Sequence, residues 1–174
     1  MKRGILFALA AAHATPAIAS CIPIPSFWSP ALFARYPAMS AKGPWRAPDL
    51  RRGDAHLYRT ILHRYGQGEP DFAARIKVVL IGCGAGSVCP SFVDRLSGRV
   101  WFVPTLRVLS YMPVDLGAST RLTCHRDSRL MVLVGTRNED ERTAGVSLYE
   151  WREQGPRLIR FVPERQLCGE GVLK

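Results

Sequence analysis

The chain has 174 residues, of which 47% are hydrophobic and 22% are charged, a composition typical of a folded globular protein and not of a disordered one. Outside its first residues no apolar run approaches the ~20 residues of a membrane-spanning helix, which excludes a polytopic membrane protein. The 24 Lys and Arg residues against 14 Asp and Glu residues give a formal net charge of +10.

The first twenty residues have the pattern of an export signal. Lys2 and Arg3 form a positively charged start, and residues 5–12 form an apolar core that is too short to span a bilayer. Ala17 and Ala19 supply the small side chains that a signal peptidase requires. The sequence therefore predicts that residues 1–20 are a signal peptide and that the mature protein is exported, either free in the periplasm or membrane-anchored and facing it.

Two cleavage sites compete around Cys21. Cleavage after Ala19 suits an ordinary signal peptidase, whereas Ile18-Ala19-Ser20-Cys21 resembles the bacterial lipobox, whose cysteine accepts a diacylglycerol. With Cys21 lipidated, four cysteines remain, an even set that can form two disulfides in an oxidising compartment. We expect lipidation of Cys21, and cleavage after Ala19 stays the alternative.

Residues 21–50 are rich in proline and predict an extended tether between the signal and the domain. Each proline fixes its own φ angle and disfavours helix in the residue before it. The segment also carries large aromatic side chains, which bury much area when they pack. We expect them to pack back on the domain, with contact to a partner as the alternative; they are Phe27, Trp28, Phe33, Tyr36 and Trp45.

Residues 51–174 predict a single α+β domain, with one N-terminal helix on an antiparallel sheet of about six strands. Asp54 is a good helix N-cap, and apolar side chains follow it at helical spacing as far as Gly66. Closely spaced turn signals favour antiparallel over parallel pairing. Short apolar runs bounded by turn residues predict strands at 75–82, 88–93, 99–103, 130–135, 146–151 and 157–162.

Three alternating glycines, Gly82, Gly84 and Gly86, follow the first predicted strand. They lack the Gly-x-Gly-x-x-Gly spacing, the Gly-Lys-Ser/Thr end and the following helix of a nucleotide-binding loop. Glycine adopts backbone angles that other residues avoid. The segment therefore predicts a tight turn, which we expect to be stapled by a disulfide between Cys83 and Cys89.

The two cysteines then left over, Cys124 and Cys168, are expected to pair and to tie the C-terminus to the middle of the sheet. By chain-entropy arithmetic this longer bridge would contribute about 3–5 kcal/mol. Four cysteines allow three pairings, and the sequence alone does not choose among them.

No catalytic constellation emerges from the sequence. His125 follows Cys124 directly, but neighbours on a strand point to opposite faces, so they do not form a nucleophilic pair. His56 and His63 share a face of the predicted helix without a metal-ligand motif, and no Gly-x-Ser-x-Gly elbow is present. We predict no catalytic residue, no metal site and no cofactor.

Without residues 1–20 the net charge of the chain is about +8, and a charge of this size indicates which classes of partner to expect. The arginines are spread singly, without the aromatic-interleaved basic patch of nucleic-acid binders, so no nucleic-acid partner is expected. A basic surface favours an anionic envelope surface or an acidic envelope protein. A lipid on Cys21 would add membrane attachment, and the oligomeric state is left open.

Four motifs between residues 58 and 158 resemble a family of small exported bacterial proteins of lipoprotein type. This chain departs from the family pattern by placing its second cysteine, Cys89, further from the glycine turn. The resemblance implies an envelope location and no particular activity. The motifs are Asp71-Phe72-Ala73, the Gly-Cys-Gly-x-Gly turn at 82–86, the Asp-x-x-x-Gly-Arg-Val hairpin at 94–100 and Asp-Ser-Arg-Leu at 127–130.

Together these features predict an exported cell-envelope binding or inhibitory module, of the immunity-protein type, without catalytic activity. That comparison is one of size and location only. The alternative is a small periplasmic hydrolase or thiol enzyme that uses a reduced Cys83 or Cys89 with a histidine, which requires a thiol that reacts at neutral pH. A structural envelope protein held by lipid and charge is a third possibility.

Overall fold

The computed structural model describes residues 21–84, 86–110 and 122–168. The predicted signal peptide at 1–20 lies outside this range. Within the described residues, no helix has both the length and the apolar character needed to cross a membrane.

The described chain forms short helices at its start and strands over most of the remainder. The helices are α1 (Pro30–Ala34), α2 (Gly53–Leu57) and α3 (Arg59–Tyr65), and 3-10 turns span Ile24–Trp28, Pro104–Leu106 and Glu164–Gln166. The strands are β1 (Ile22–Pro23), β2 (Ile76–Gly84), β3 (Ser87–Asp94), β4 (Val100–Trp101), β5 (Leu109–Ser110), β6 (Leu122–Cys124), β7 (Leu130–Arg137), β8 (Asp140–Arg152), β9 (Gly155–Pro163) and β10 (Leu167–Cys168).

Eight of these strands form one antiparallel sheet with the order β2-β3-β5-β7-β8-β9, in which β4 also pairs with β3 and β6 with β7. The predicted combination of helix and antiparallel sheet is confirmed, but the number of six strands is wrong. The prediction missed β5 and β6, which are too short to show an alternating pattern. The predicted single helix is divided at Tyr58, whose ψ of 20° ends α2.

Strand β7 is buried on both faces, and this explains its uninterrupted apolar run. Leu130, Val132 and Val134 pack on one face against Ile24 and other residues of the N-terminal segment. The alternate residues of β7 belong to a second core group on the other face, which contains Met131, Leu133, Phe72, Phe92 and Trp151. A strand covered on both sides loses the polar alternation of a half-exposed one.

The proline-rich segment lies against the sheet and supplies one of its covers. Phe27 and Phe33 are buried in the core, as expected if its aromatic residues pack back on the domain. The Ser128 hydroxyl donates hydrogen bonds to the backbone carbonyls of Phe33 and Tyr36 at 2.9 and 3.1 Å. The segment is therefore part of the folded domain rather than a free spacer.

A disulfide joins the two ends of the described chain. Cys21 is bonded to Cys168, 147 residues away, with a Cα–Cα distance of 5.5 Å, and β1 pairs in parallel with β10 beside it. This corrects the expected pairing of Cys124 with Cys168, because Cys124 is free. Leu167 packs on the face covered by the N-terminal segment, whereas Cys124 packs on the opposite face.

The same bond bears on the expected lipid. A diacylglycerol thioether would occupy the sulfur of Cys21 that is bonded to Cys168 in the structure. The disulfide-bonded form therefore does not support lipidation of Cys21.

Candidate functional site

The hairpin of β2 and β3 carries the glycine motif and the second disulfide. Gly84 and Gly86 have φ angles of +94° and +73°, a region that favours glycine, and Cys83 is bonded to Cys89 with a Cα–Cα distance of 5.9 Å. The structure thus brings the predicted turn residues together with the predicted staple. Gly82 lies on β2, and a side chain added there would meet open space.

β2 is the terminal strand of the sheet, and it is buried on one face along part of its length. Val79 and Ile81 pack under α3 with Leu62. By contrast Leu80, between them, is 46% exposed. The end of β2 beyond Ile81 is exposed as well, so the strand presents an open edge towards the glycine turn.

The hydrogen bonds at the start of β2 show which backbone groups face outward. Ile76 exchanges bonds with Phe72, and the amide of Val78 donates to Oδ1 of Asp71 at 2.8 Å. In an antiparallel strand the outward-facing groups recur at every second residue. The next such residue is Leu80.

Pro90 lies directly opposite Leu80 on β3, and its missing amide proton fits a pair in which the main-chain groups of both residues point away from the ladder between β2 and β3. The same alternation makes Gly82 the following outward residue. Among the described residues, no group outside the β2–β3 ladder bonds to the backbone of Leu80 or Gly82. An open main-chain donor and acceptor pair therefore lies at each of these two residues.

A groove of about 440 Å³ runs between α3 and this edge. Its wall includes Tyr65 from α3, which is 53% exposed, and Leu80. Two cations flank it: Arg64, whose guanidinium carbon lies 5.3 Å from the centre of the Tyr65 ring, and Lys77, which binds Asp71 at 2.6 Å. Arg64 has no carboxylate partner within the described ranges, so the groove is basic.

The buried Arg95 holds the end of α3 that forms this groove. Its guanidinium donates to the carbonyls of Gly66 and Arg46, and carbonyls at a helix C-terminus have no partner within the helix. Burial lowers the pKa of Arg95. This contact fixes Tyr65, at the last position of α3, relative to the sheet.

The glycine hairpin was predicted from the sequence, but the groove beside it was not. Tyr65 was predicted to belong to the helix core, and Leu80 to an ordinary strand position. The only available indication was that residues 78–81 are all apolar next to three glycines. The open main-chain groups at Leu80 depend on β2 being the edge strand, a property of sheet order rather than of the local pattern.

The thiols do not form a nucleophilic site. Cys83 and Cys89 are bonded to each other, and burial is the main cause that raises the pKa of Cys124 to about 12. The nearby carboxylate of Asp71 raises the pKa further, while Lys77 opposes this change. His125 lies edge-on to Phe33, with their ring centres 4.2 Å apart. A protonated, half-buried thiol is a poor nucleophile.

We expect the purified mature protein to show no acyl mass, and four of its thiols to become alkylated only after reduction. Cys124 should react about 1,000-fold more slowly in the native than in the unfolded protein, because its raised pKa leaves so little thiolate. Intact-mass measurement before and after alkylation tests both points. An acylated chain with a reactive Cys168, or rapid labelling of native Cys124, would contradict this assignment.

Over residues 21–84, 86–110 and 122–168, no three His, Cys, Asp or Glu side chains come close enough to hold a metal ion.

Comparison of the chain with protein-family models, with curated proteins and with solved structures gives no match. The β2 edge and its groove are therefore the features of the described residues that point to a function.

Proposed function

We propose that this chain is an exported binding module of the cell envelope that takes an extended segment of a partner protein onto the free edge of β2. The observation that carries this proposal is the pair of outward, unpartnered backbone positions at Leu80 and Gly82 beside the groove of Tyr65. Strand addition of this kind draws its affinity from main-chain hydrogen bonds and its specificity from side-chain pockets.

The positive charge of the groove favours a partner segment that is acidic. Arg64 has no anionic partner among the described residues, and the chain as a whole carries a net charge of +10. A second copy of the chain would bring like charges together at this edge, which disfavours self-pairing. An acidic extended segment offers the opposite charge.

The hairpin is preorganised for such a partner. The bond between Cys83 and Cys89 ties the two strands at the turn, so less conformational entropy is lost on binding. Gly82 has no side chain at the edge, which permits another backbone to approach closely. Two disulfides are also compatible with an oxidising, exported location.

The thiol-enzyme alternative is less well supported. It requires a reduced Cys83 or Cys89 beside a histidine, whereas these two cysteines are bonded to each other. The remaining described thiol, Cys124, has a raised pKa. The observations favour a binding function over a catalytic one.

The substitution Leu80→Pro tests the proposal, because it removes the outward amide without touching the ladder to β3. Proline is tolerated on an edge strand where its missing amide would face outward. Extended peptides selected from a random display library on the wild-type protein should be acidic. They should bind Leu80→Pro about tenfold or more weakly, as measured by fluorescence anisotropy.

Leu80→Ala is the matched control, since it keeps the amide and removes only the side chain. It should lose less affinity than Leu80→Pro. Hydrogen exchange at Leu80 and Gly82 of the wild-type protein should slow when peptide is bound, a readout that does not depend on how the variants fold. Equal binding by Leu80→Pro, or a dimer that buries β2 without peptide, would overturn the proposal.

A further inference from the structure

A second cavity, of about 420 Å³, lies between the turn that precedes α2 and the turn that joins β3 to β4. It shares no lining residue with the groove beside β2. Three arginines line it, Arg51, Arg52 and Arg99. We call it the arginine cleft.

The walls of the arginine cleft are held together by the backbone. The amide of Asp49 donates to the carbonyl of Gly98 at 2.7 Å. Gly98 has a φ angle of +79°, and a Cβ atom there would lie 2.6 Å from the carbonyl oxygen of Ala47. Oδ1 of Asp94 also accepts a 2.9 Å bond from the amide of Leu96 inside the β3–β4 turn. The two turns therefore meet in a fixed geometry.

The positive charge of one arginine in the cleft is balanced by a carboxylate, and the charges of the other two are not. Arg51 binds Asp49 through Nε and Nη2, at 2.8 and 2.7 Å, and these bonds lower the pKa of Asp49 to about 2. That carboxylate is therefore ionised throughout the neutral range. Arg52 and Arg99 have no carboxylate partner in the described part of the chain, which leaves two uncompensated positive charges.

Arg99 is oriented by an aromatic ring. Its guanidinium carbon lies 3.6 Å from the centre of the Trp101 ring, a contact that combines cation–π attraction with stacking. Stacking occupies the flat face of the guanidinium and leaves the N–H groups on its rim available. A planar fork of donors held in this way matches phosphate geometry.

We propose that the arginine cleft binds a phosphate monoester. A phosphate monoester carries a charge of about −1.5 to −2 at neutral pH, which the two uncompensated arginines balance. A carboxylate would leave one of them unpaired. The volume lies within the range of about 300–1,000 Å³ that is typical of small-molecule sites, so it accommodates the phosphate together with part of its organic group.

The experiment is an NMR titration of the mature wild-type protein at constant ionic strength, with inorganic phosphate and with glucose 1-phosphate as probes. Saturable shifts are expected at the backbone amides of Arg52, Ser97 and Arg99. Arg99→Gln should weaken binding about tenfold or more, since it removes a charge-assisted fork. Trp101→Leu keeps that charge but removes the ring that orients it, and should also weaken binding.

Arg157→Gln is the matched control, because Arg157 is an exposed arginine on β9 outside the cleft. The affinity of this variant for the phosphate probes should stay within about twofold of the wild-type value. Equal losses in Arg99→Gln and Arg157→Gln, or no saturable binding of inorganic phosphate or glucose 1-phosphate below about 10 mM and none of phosphatidic acid vesicles, would overturn the proposal. Vesicles that contain phosphatidic acid distinguish the source of the phosphate. Binding of glucose 1-phosphate supports a soluble ester, and saturable binding to the vesicles alone supports a lipid headgroup.

Discussion

Replacing Gly145 with alanine is expected to lower the free energy of unfolding by about 3 kcal/mol or more. Gly145 lies in β8 with a φ angle of +150°, and a Cβ atom there would lie 2.1 Å from the carbonyl oxygen of Val162 and 3.0 Å from Cα of Pro163. Both contacts are with the backbone of β9, which cannot move without breaking its ladder to β8. The cost therefore combines a disfavoured φ angle with a steric clash.

Gly82→Ala is the matched control, because it makes the same chemical change at a strand position where the added methyl meets open space. Its effect should stay within about 0.5 kcal/mol. Urea denaturation followed by tryptophan fluorescence gives both values. Equal stability of the two variants would show that β9 moves away from β8 at little cost, contrary to the fold described here.

Removing the bridge between Cys21 and Cys168 should destabilise the protein far more than removing the bridge between Cys83 and Cys89. The first spans 147 residues and the second only 6. The loop-closure entropy of the unfolded chain then gives about 5 kcal/mol for the first bridge and about 2 kcal/mol for the second. Loss of the first bridge also frees the segment that buries Phe27 and Phe33 over β7.

The test compares two double variants, Cys21→Ser with Cys168→Ser and Cys83→Ser with Cys89→Ser, so that neither leaves a stray thiol from the removed bridge. Denaturant midpoints and slopes are measured for both variants and for the wild-type protein. In the variant without the Cys21–Cys168 bridge, the loss of unfolding free energy should approach the whole stability of an ordinary domain, about 5–15 kcal/mol. This variant should therefore unfold near room temperature. Equal losses in the two pairs would contradict the assigned end-to-end connection.

The parts of the fold that were predictable are those with strong local patterns. The hairpin of β2 and β3, with its glycine turn and its staple, follows from apolar runs on either side of Gly84 and Gly86. The pairing of Cys168 was not predictable, because it depends on β10 lying beside β1, which is distant in the sequence. Strands of two or three residues, such as β5, carry no pattern of their own and exist only because β3 and β7 flank them.

The place of the buried N-terminal segment over β7 is indicated by the sequence of β7 itself. The run from Leu130 to Val134 has no polar residue on either face, and this indicates that both faces are covered. A single predicted helix cannot cover two faces of a sheet. The proline-rich segment was the remaining apolar part of the chain ahead of the sheet, so its place over β7 follows from β7 rather than from its own sequence.

The parallel pairing of β1 with β10 sets the order in which the molecule can be completed. During synthesis a chain emerges with its N-terminus first, so Cys21 is exposed long before Cys168 exists to receive it. The six-residue separation between Cys83 and Cys89 allows that bond to close early, because a short loop costs little entropy. The hairpin bond then removes two of the three thiols with which Cys21 could otherwise form a wrong pair, and only Cys124 remains. We therefore expect assembly to run from the middle of the chain outward, so that β1 is among the last of the described strands to pair.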